Sequence, residues 1–316
     1  MSGPLRPGRS RLRLGTRGSA LALAQSGGIA ASVTAELGYD VELVRVRTAG
    51  DASSAAIAQL GGTGVFVTAL RDALLAGEVD LAVHSYKDLP TEPAAGLVVA
   101  AVPIRADPRD VLVARDHLTI GELPAGARVG TGSPRRTAQL LGLGLGLEVV
   151  GVRGNVDTRI GKVRSGELDG VVLALAGLVR LDRLGDATEV IDPLTMLPAP
   201  AQGALAIECR ADDAELVALL AALDDPDSRT AVTAERALLS ALEGGCLAPV
   251  AALAQVAEGE HGPELYLRGL VAAVDGTEAV RLSATGPTSE AEQVGRRLAA
   301  ELFDLGAADL MGGARS

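Results

Sequence analysis

The sequence has no tryptophan, and aromatic residues make up only 2% of its 316 residues. Proteins that bind single-stranded nucleic acid stack bases on aromatic side chains, so the composition disfavours that class. Lysine occurs only at Lys87 and Lys162, and the excess of acids gives a formal net charge of -11. A chain of this charge is not attracted in general to nucleic acids or anionic membranes, so we expect a small molecule as its partner and neither of these.

Cysteine and long apolar runs are also scarce. Cys209 and Cys246 could form at most one disulfide, which is too few for a disulfide scaffold or a zinc site and fits a reducing compartment. No apolar stretch reaches membrane-spanning length without interruption. The arginine-rich start lacks the apolar segment of a secretory signal, and a strand-like run from Arg11 leaves little room for the alternative of a short organelle transit segment. We therefore expect a cytoplasmic protein.

The remaining composition is that of an ordinary globular protein. Hydrophobic residues make up 48% and charged residues 22%, and the length predicts two or three compact units. Strand-length apolar runs alternate with helical patterns, which is typical of βαβ units and a mostly parallel sheet. The first such unit is predicted to have strands at 11–16, 41–47, 79–84 and 97–103 and helices at 19–37 and 66–75.

The same alternation restarts after residues 105–110 and predicts a second α/β unit. Its strands are expected at 111–114, 128–130, 148–152 and 170–175, with helices from 133, from 155 and over 176–184. Residues 105–180 contain ten arginines and one lysine against eight acids, a local charge of +3 in a chain of net charge -11. This unit is therefore predicted to keep a basic surface.

A proline-rich break precedes a strand at 203–209, which is expected to return and pair with the first unit. Two segments would then cross between the units, an arrangement typical of hinges. A smaller α+β unit is predicted after them, with helices at 227–242 and 290–305 and strands at 250–256, 264–274 and 280–284. The predicted domains are 10–103 with 203–221, then 108–198, then 226–316.

Arginine positions are more informative than arginine number. Of the 29 basic residues 27 are arginine, which codon bias explains. In GTGSPRRTAQL, however, Ser133 and Pro134 predict a helix start directly after a strand, which puts Arg135 and Arg136 in the first turn. Cations there oppose the helix dipole by about 0.3 to 1 kcal/mol each. The same arrangement would bind a carboxylate or phosphate.

Two further strand-to-helix junctions repeat this pattern. VRGNVDTR places Arg153 at a strand end, Asn155 as a helix cap and Arg159 one turn later, and TRGS places Arg17 beside Ser19. Open α/β sheets bind ligands at such junctions, so three of them indicate a polyanionic ligand. The sequence has neither a GxxxxGK[ST] loop nor a GxGxxG after its first strand, and carboxylates are therefore as plausible as phosphates.

Two loops add candidate reactive groups. VDLAVHSYKDLP is expected to end a strand near His84, a structural imidazole, and to present Ser85, Lys87 and Asp88 in an extended loop where neighbours point apart. LEGGCLAP places Cys246 after two glycines, which predicts an exposed thiol that is a nucleophile, a redox liability or an attachment point. Cys209, within an apolar strand, is expected to be buried and inert.

Nine segments, in this order along the chain, resemble those of the porphobilinogen deaminase (hydroxymethylbilane synthase) family. They are LGTRGSALALAQ, GGTGVFVTAL, AVHSYKDLP, DPRD, GTGSPRRTAQL, VRGNVDTR, LALAGLVRL, LPAPAQGALAIECR and LEGGCLAP. The resemblance implies a monomer with two domains like a type II periplasmic binding protein, joined by a hinge, and a small α+β C-terminal domain. It also implies condensation of four porphobilinogen molecules into hydroxymethylbilane for haem biosynthesis, with release of ammonia.

The resemblance also implies roles for individual residues. Cys246 would hold a dipyrromethane cofactor, made from substrate, through a thioether, and Asp88 would be the catalytic carboxylate that stabilises a cationic azafulvene. The other cofactor-binding residues would be Lys87, Ser85, Thr131, Ser133, Arg135, Arg136 and Gly154. The substrate-binding residues would be Arg17, Ser19, Gln25, Phe66, Arg153, Arg159, Arg180 and Gln202.

One region departs from the family pattern. Many relatives have lysines where this chain has Gln59 and Thr63, so Thr63 is a weaker site candidate than the arginines. A different class of function also fits the residues, namely a non-catalytic binding protein for a dicarboxylate or oxyanion. A nucleic-acid module is disfavoured because acids interleave the arginines and stacking aromatics are missing.

Overall fold

The computed structural model describes residues 11–46, 63–242, 249–259 and 262–312. The chain divides into two compact units, of which the first is Met1–Arg105 with Ala204–Arg229 and the second is Ala106–Gly203 with Thr230–Ser316. Among the predicted site residues, Gln59 and Cys246 lie outside the described ranges.

Strands and helices alternate through most of the described chain. The strands are β1 (Arg11–Thr16), β2 (Asp40–Arg45), β3 (Leu81–Ser85), β4 (Leu97–Ala101), β5 (Asp110–Ala114), β6 (Arg128–Thr131), β7 (Glu148–Gly151), β8 (Gly170–Ala174), β9 (Glu189–Val190), β10 (Leu205–Arg210), β11 (Val250–Gly259), β12 (Gly262–Ala272) and β13 (Ala279–Pro287). The helices are α1 (Ala20–Ser32), α2 (Thr63–Leu75), α3 (Pro134–Gly142), α4 (Val156–Arg164), α5 (Leu175–Arg180), α6 (Ala214–Leu220), α7 (Pro226–Ala241), α8 (Ala291–Asp304) and α9 (Ala307–Gly312).

The sheet of the first unit has the strand order β2-β1-β3-β10-β4. β1 pairs in parallel with β2 and β3, whereas β10 is antiparallel to both β3 and β4. The predicted return of the 203–209 strand to the first unit is thereby confirmed, and Leu205 lies opposite Ser85. Leu14, Leu81 and Ile207 are fully buried in the core between this sheet and its helices.

The second unit contains a sheet of the same design, with the order β7-β6-β8-β5-β9. β6 is parallel to β7 and β8, and β5 is the antiparallel strand. Its first residue, Asp110, lies opposite Ala174, the last residue of β8. Two mixed sheets with one shared order confirm the predicted fold class, α/β of the type II periplasmic-binding-protein kind.

The second unit also contains an antiparallel sheet of order β11-β12-β13, which forms the predicted α+β part. Its core is built with α7 and α8, where Leu238, Leu267 and Leu298 are fully buried. A smaller cluster joins Ala138 of α3 to Leu253 and other residues of this sheet. The helix that bears Arg135 and Arg136 is therefore packed on both its own sheet and the C-terminal one.

Two helices were not predicted from the sequence, and one predicted helix is shorter than expected. α6 was missed, although Asp213 caps it by accepting a bond from Leu216 N–H, and α9 was also missed. The helix predicted over 176–184 ends at Arg180, because Asp182 has a φ of 55°, a left-handed conformation that ends an α-helix.

No helix in the described part of the chain is both long and apolar enough to cross a membrane. Within the same ranges, no group of three or more His, Cys, Asp or Glu side chains is placed to hold a metal ion.

Candidate active site

The predicted site residues of each unit lie where parallel strands end. In the first unit they follow the neighbouring strands β1 and β3, apart from Phe66 in α2. In the second they follow the neighbouring strands β6, β7 and β8, apart from Gln202, which precedes β10. The carboxyl ends of neighbouring parallel strands meet at one edge, which is where open α/β sheets bind ligands. Each unit therefore gathers its own candidates at one edge.

The turn after β1 is held by hydroxyl groups. Ser19 caps α1 by accepting a bond from Ala22 N–H at 3.3 Å, and the Ser26 hydroxyl donates to buried Thr16 Oγ1 at 2.8 Å. These contacts fix the strand-to-helix turn in which Arg17 lies half-buried. Ser19 itself is exposed.

Gln25 connects this turn to the end of β3. Its side chain is 7% exposed and its Nε2 donates to Ser85 Oγ at 2.8 Å. Two residues that lie far apart in the sequence are therefore brought together, as a shared site requires.

The predicted extended loop after β3 is wrong: Tyr86–Asp88 form a single 3₁₀ turn. The turn is fixed by two backbone bonds, from Tyr86 N–H to Ala204 O at 3.0 Å and from Leu89 N–H to Tyr86 O at 3.2 Å. Lys87 and Asp88 are both half-buried within this turn. The catalytic candidate therefore sits on a hydrogen-bonded element anchored to the start of β10.

His84 has the structural role predicted for it. Its side chain is buried, and its Nε2 lies 3.3 Å from Oε2 of Glu208, an oxygen that accepts a bond from Arg71 Nε at 3.1 Å. Burial raises the pKa of Glu208, but the neighbouring His84 and the hydrogen bonds and charge of Arg71 more than reverse this and lower it. Phe66 and Thr63 lie in α2, and their side chains are outside the described part of the structure.

In the second unit, α3 begins at Pro134 as predicted, but its cap differs. Ser133 occupies the cap position, as its place before Pro134 predicted, but its side chain makes no capping hydrogen bond. Instead, Ser133 N–H donates to the hydroxyl oxygen of Thr131 at 3.2 Å. Thr131 is 2% exposed and Ser133 is half-buried. The Ser133 hydroxyl is therefore not used in starting the helix.

Arg135 and Arg136 were expected to project toward a ligand from an uncompensated first turn, and here the structure differs. Their side chains are 3% and 7% exposed, and both bind Asp110, which is completely buried. Arg135 donates to Asp110 at 2.8 Å and to Leu197 O at 2.6 Å. Arg136 donates to Asp110 through Nε at 3.1 Å and Nη2 at 2.7 Å. A buried carboxylate thus offsets part of the charge that opposes the helix dipole.

The cluster of Arg135, Arg136 and Asp110 has a net positive charge. Burial raises the pKa of Asp110, but the charges of Arg135 and Arg136 and the hydrogen bonds from Arg136 and Gln202 bring it well below its usual range. Burial lowers the pKa of Arg135, against the attraction of Asp110. Two guanidinium groups and one carboxylate leave a net charge of +1, and Arg135 Nε is buried without a hydrogen-bond partner among the described residues.

The turn after β7 presents the second arginine pair. Arg153 is exposed and Arg159 is half-buried, with Arg159 Nε donating to Gly154 O at 2.8 Å. Gly154 has a φ of 112°, and a Cβ there would lie 2.9 Å from Thr158 Cγ2, so the turn requires glycine. Burial and the nearby charge of Arg136 lower the pKa of Arg159. Arg159 therefore adds to the positive charge at this edge.

Arg180 and Gln202 complete this set. Arg180 ends α5 and donates to Gly203 O at 2.7 Å, and burial lowers its pKa. Gln202 is 1% exposed and donates to Pro108 O at 2.7 Å and to Asp110 at 2.8 Å. Every predicted candidate of this unit that the structure describes lies at the carboxyl edge of its sheet or packs against it.

The two cysteines lie in different parts of the chain. Cys209 lies in β10 and is fully buried, as predicted for an inert thiol. Cys246 falls between the end of α7 at Ala241 and the start of β11 at Val250, outside the described residues.

Comparison with known proteins decides the family. A family model described as "Porphobilinogen deaminase, dipyromethane cofactor binding domain" matches residues 12–218, and one described as "Porphobilinogen deaminase, C-terminal domain" matches residues 229–304. The chain belongs to the porphobilinogen deaminase family. The sequence-based identification of the family is thus confirmed, as is the dipyrromethane cofactor that it implied.

Similar proteins in the family match almost end to end. Porphobilinogen deaminase 1 of Streptomyces avermitilis is 61% identical over 95% of this chain and 97% of its own length. Porphobilinogen deaminase of Mycobacterium avium is 58% identical over 96% of this chain and 98% of its own. Among solved structures, a periplasmic substrate-binding protein of an ABC transporter from Coxiella burnetii is 14% identical, covers 68% of this chain and 92% of its own, and has a TM-score of 0.43.

The residues present fit the cofactor of the porphobilinogen deaminase family. Each pyrrole ring made from porphobilinogen carries an acetate and a propionate, so a dipyrromethane is a tetra-anion. The described donors are guanidinium and hydroxyl groups, which bind carboxylates well. Arg135 Nε is a buried donor that the protein leaves unused, the Ser133 hydroxyl is not spent on a cap, and the surrounding charge is positive.

Sequence reasoning missed Asp110 and Gln139 as supports of these donors. Gln139 exchanges two bonds with Leu197, accepting from its N–H at 2.8 Å and donating to its oxygen at 3.0 Å, and so holds the carbonyl that Arg135 binds. The signal available was the pair of adjacent arginines in GTGSPRRTAQL, because two buried cations require a counter-charge. DPRD supplied a candidate, but the pattern did not say which acid faces inward.

Proposed function

We propose that this chain joins four porphobilinogen molecules head to tail on a dipyrromethane bound to Cys246 through a thioether, releasing one ammonia at each condensation. Water then cleaves the four-ring chain from the dipyrromethane and supplies the hydroxyl group of hydroxymethylbilane. The observation that carries the proposal is that each of the two units, taken by itself, has guanidinium and hydroxyl groups at the carboxyl edge of its own sheet. Dicarboxylic pyrroles need such donors for binding, and the loss of ammonia needs an anion.

Asp88 is the residue that performs the chemistry. Loss of ammonia from the aminomethyl group leaves positive charge on the substrate pyrrole, which a nearby carboxylate stabilises. The 3₁₀ turn holds Asp88 half-buried, where its charge is less screened by water than on an open loop. The backbone bond from Tyr86 to Ala204 supports this role, because it holds the turn that carries Asp88.

The arginines bind and orient the acidic chain. Arg17, Arg153, Arg159 and Arg180 take carboxylates of substrate and product. The cofactor is held by Lys87, Ser85, Thr131, Ser133, Arg135, Arg136 and Gly154. The binding surfaces are completed by Ser19, Gln25, Phe66 and Gln202. The cofactor supplies the nucleophilic pyrrole carbon to which the first substrate is joined. Arginine suits these contacts because its planar fork binds carboxylates with two parallel hydrogen bonds.

The setting we propose is that of a soluble biosynthetic enzyme. The chain works as a monomer in the cytoplasm, and its partner is porphobilinogen, with no nucleic acid and no membrane. The negative net charge supports this, because it opposes association with nucleic acid and anionic lipid.

Porphobilinogen consumption by Asp88 variants tests the catalytic role. Asp88→Asn keeps the shape of the side chain but removes its charge, so the rate should fall by roughly a hundredfold or more. Asp116→Asn is the matched control, since Asp116 is also the acid of a 3₁₀ turn but follows the antiparallel strand β5 and so lies at the opposite edge of its sheet from the candidate residues, and it should keep the wild-type rate. Ammonia release is measured in parallel.

Turnover that survives both Asp88→Asn and Asp88→Glu would remove Asp88 from its role. A wild-type chain that binds porphobilinogen without consuming it would instead support the non-catalytic binding protein.

A further inference from the structure

Asp110 is a completely buried acid to which the resemblance assigned no role. It is the first residue of β5, and because β5 is antiparallel, this start lies at the edge where β8 ends at Ala174. An isolated charge at such a depth is strongly unfavourable. The buried Asp110 carboxylate therefore requires partners that compensate its charge.

Three side chains that were each proposed to bind ligand converge on this single carboxylate. Arg135 Nη2 donates to Oδ2 at 2.8 Å, and Arg136 donates to Oδ1 at 3.1 and 2.7 Å. Gln202 Nε2 donates to the same Oδ1 at 2.8 Å. Asp110 thus links the first turn of α3 to the segment that leads into β10.

The contacts also orient the two guanidinium groups. Asp110 holds Nη2 of Arg135 while Leu197 O holds Nη1, and the Nε of this residue is left without a partner among the described residues. For Arg136, Asp110 holds Nε and Nη2 while Val172 O holds Nη1. Both planes are thereby fixed by groups of the protein itself.

The single carboxylate of Asp110 also determines the net charge that it forms together with Arg135 and Arg136. Without it, two neighbouring buried guanidinium groups would repel each other and would turn toward water. With a second buried acid, no positive charge would be left for an anion. A single buried acid permits both arginines to stay at the strand ends and leaves a charge of +1.

We propose that Asp110 is a positioning residue that fixes Arg135 and Arg136 at the site before the cofactor is attached. The inference rests on the proposed cofactor-binding role of these two arginines. It assigns the acid a part in assembling the holoenzyme, in addition to its part in folding.

The rate of cofactor attachment tests this inference. Chains made in a host that cannot produce porphobilinogen are incubated with porphobilinogen, well below their unfolding temperature, and the gain of a dipyrromethane is followed by intact-protein mass. Asp110→Asn should gain this mass about tenfold more slowly than wild type, the size typical when a support of a ligand-binding group is removed. Asp110→Glu keeps the charge but moves it by one methylene, and should lie between them.

Asp80→Asn is the matched control. Asp80 is 3% exposed and binds Arg13 at 3.0 Å, but it precedes β3 and so lies at the amino edge of its sheet. This substitution should lower stability, because the buried carboxylate loses its charged hydrogen bonds to Arg13, and should leave the attachment rate at the wild-type value. If Asp110→Asn does not fold, Asp110→Glu is compared with Asp80→Glu, and only the former should be slow.

A double-mutant cycle separates positioning from folding. Because Asp110 acts through both arginines, Asp110→Asn should slow attachment less in an Arg135→Gln chain than in wild type, since only its effect on Arg136 is left to lose. Fully additive losses, or equal rates for wild type and Asp110→Asn, would overturn this inference and leave the proposed function standing. A wild-type chain that never gains the mass would overturn the proposed function itself.

Discussion

Burial of two neighbouring guanidinium groups explains why a completely buried carboxylate lies beside them in the second unit. Buried ion pairs cost about as much in desolvation as they return in attraction, so they are poor devices for stability alone. The Asp110 cluster includes Arg135 and Arg136, which we propose bind the cofactor. Ligand binding therefore accounts for a buried cluster that stability alone does not explain. Local pattern located these arginines at a strand end but could not tell that they face inward, because the direction depends on an acid 25 residues away.

The lowered pKa values of Asp110 and Glu208 predict a loss of stability in acid. A carboxyl whose pKa is lower in the folded than in the unfolded state stabilises the fold above its unfolded pKa, and this stabilisation is lost as the pH falls through the folded value. The free energy of unfolding should therefore decrease below about pH 4, the ordinary carboxyl range. Urea unfolding over a series of pH values measures it.

Asp110→Asn should show a shallower decrease below this pH, because one of the responsible groups is gone. Asp116→Asn removes an exposed acid and should keep the wild-type slope. Identical slopes in wild type and Asp110→Asn would show that the Asp110 carboxyl does not have the lowered pKa.

At the scale of the element, helix starts distinguish structural residues from ligand-binding ones. Asn155 accepts bonds from Thr158 N–H at 2.8 Å and from its hydroxyl at 2.9 Å, so it caps α4. Ser133 occupies the same position before α3 and makes no such bond. The two positions look alike in sequence, and only the structure separates them.

Alanine substitutions at the two cap positions should therefore differ. Asn155→Ala should lower the free energy of unfolding by about 1 kcal/mol, the usual loss for a helix cap. Ser133→Ala should change it by less than about 0.5 kcal/mol, and should weaken cofactor attachment. Chemical denaturation of both variants measures the difference, and an equal loss of stability in the two would contradict the cap assignment.

Elements with strong periodic patterns were predicted well from the sequence. β1 was predicted with the bounds it has, and most other strands within about two residues, because apolar runs flanked by glycine and proline mark a buried strand. The missed α6 buries only Leu216, Leu219 and Leu220 on one face and is seven residues long. So short a pattern does not separate a helix from a turn.

At the scale of the whole chain, the two five-stranded sheets share one strand order, and local sequence patterns predicted only part of that order. Sequence predicted that a late strand returns to the first unit, but not that β5 enters the second sheet in the equivalent antiparallel position. Strand order depends on pairings between residues far apart in the chain. That position is what brings Asp110 to the edge where the arginines lie.

The central claim is that these edges serve an acidic pyrrole chain attached to sulfur, and intact-protein mass tests it most directly. Chains are purified from a host that makes porphobilinogen. Wild type should be heavier than its sequence mass by one dipyrromethane, as should Cys209→Ser, in which only a buried thiol is changed. Cys246→Ser should have its sequence mass. A wild-type chain at its sequence mass, or a Cys246→Ser chain that still carries the addition, would contradict the account.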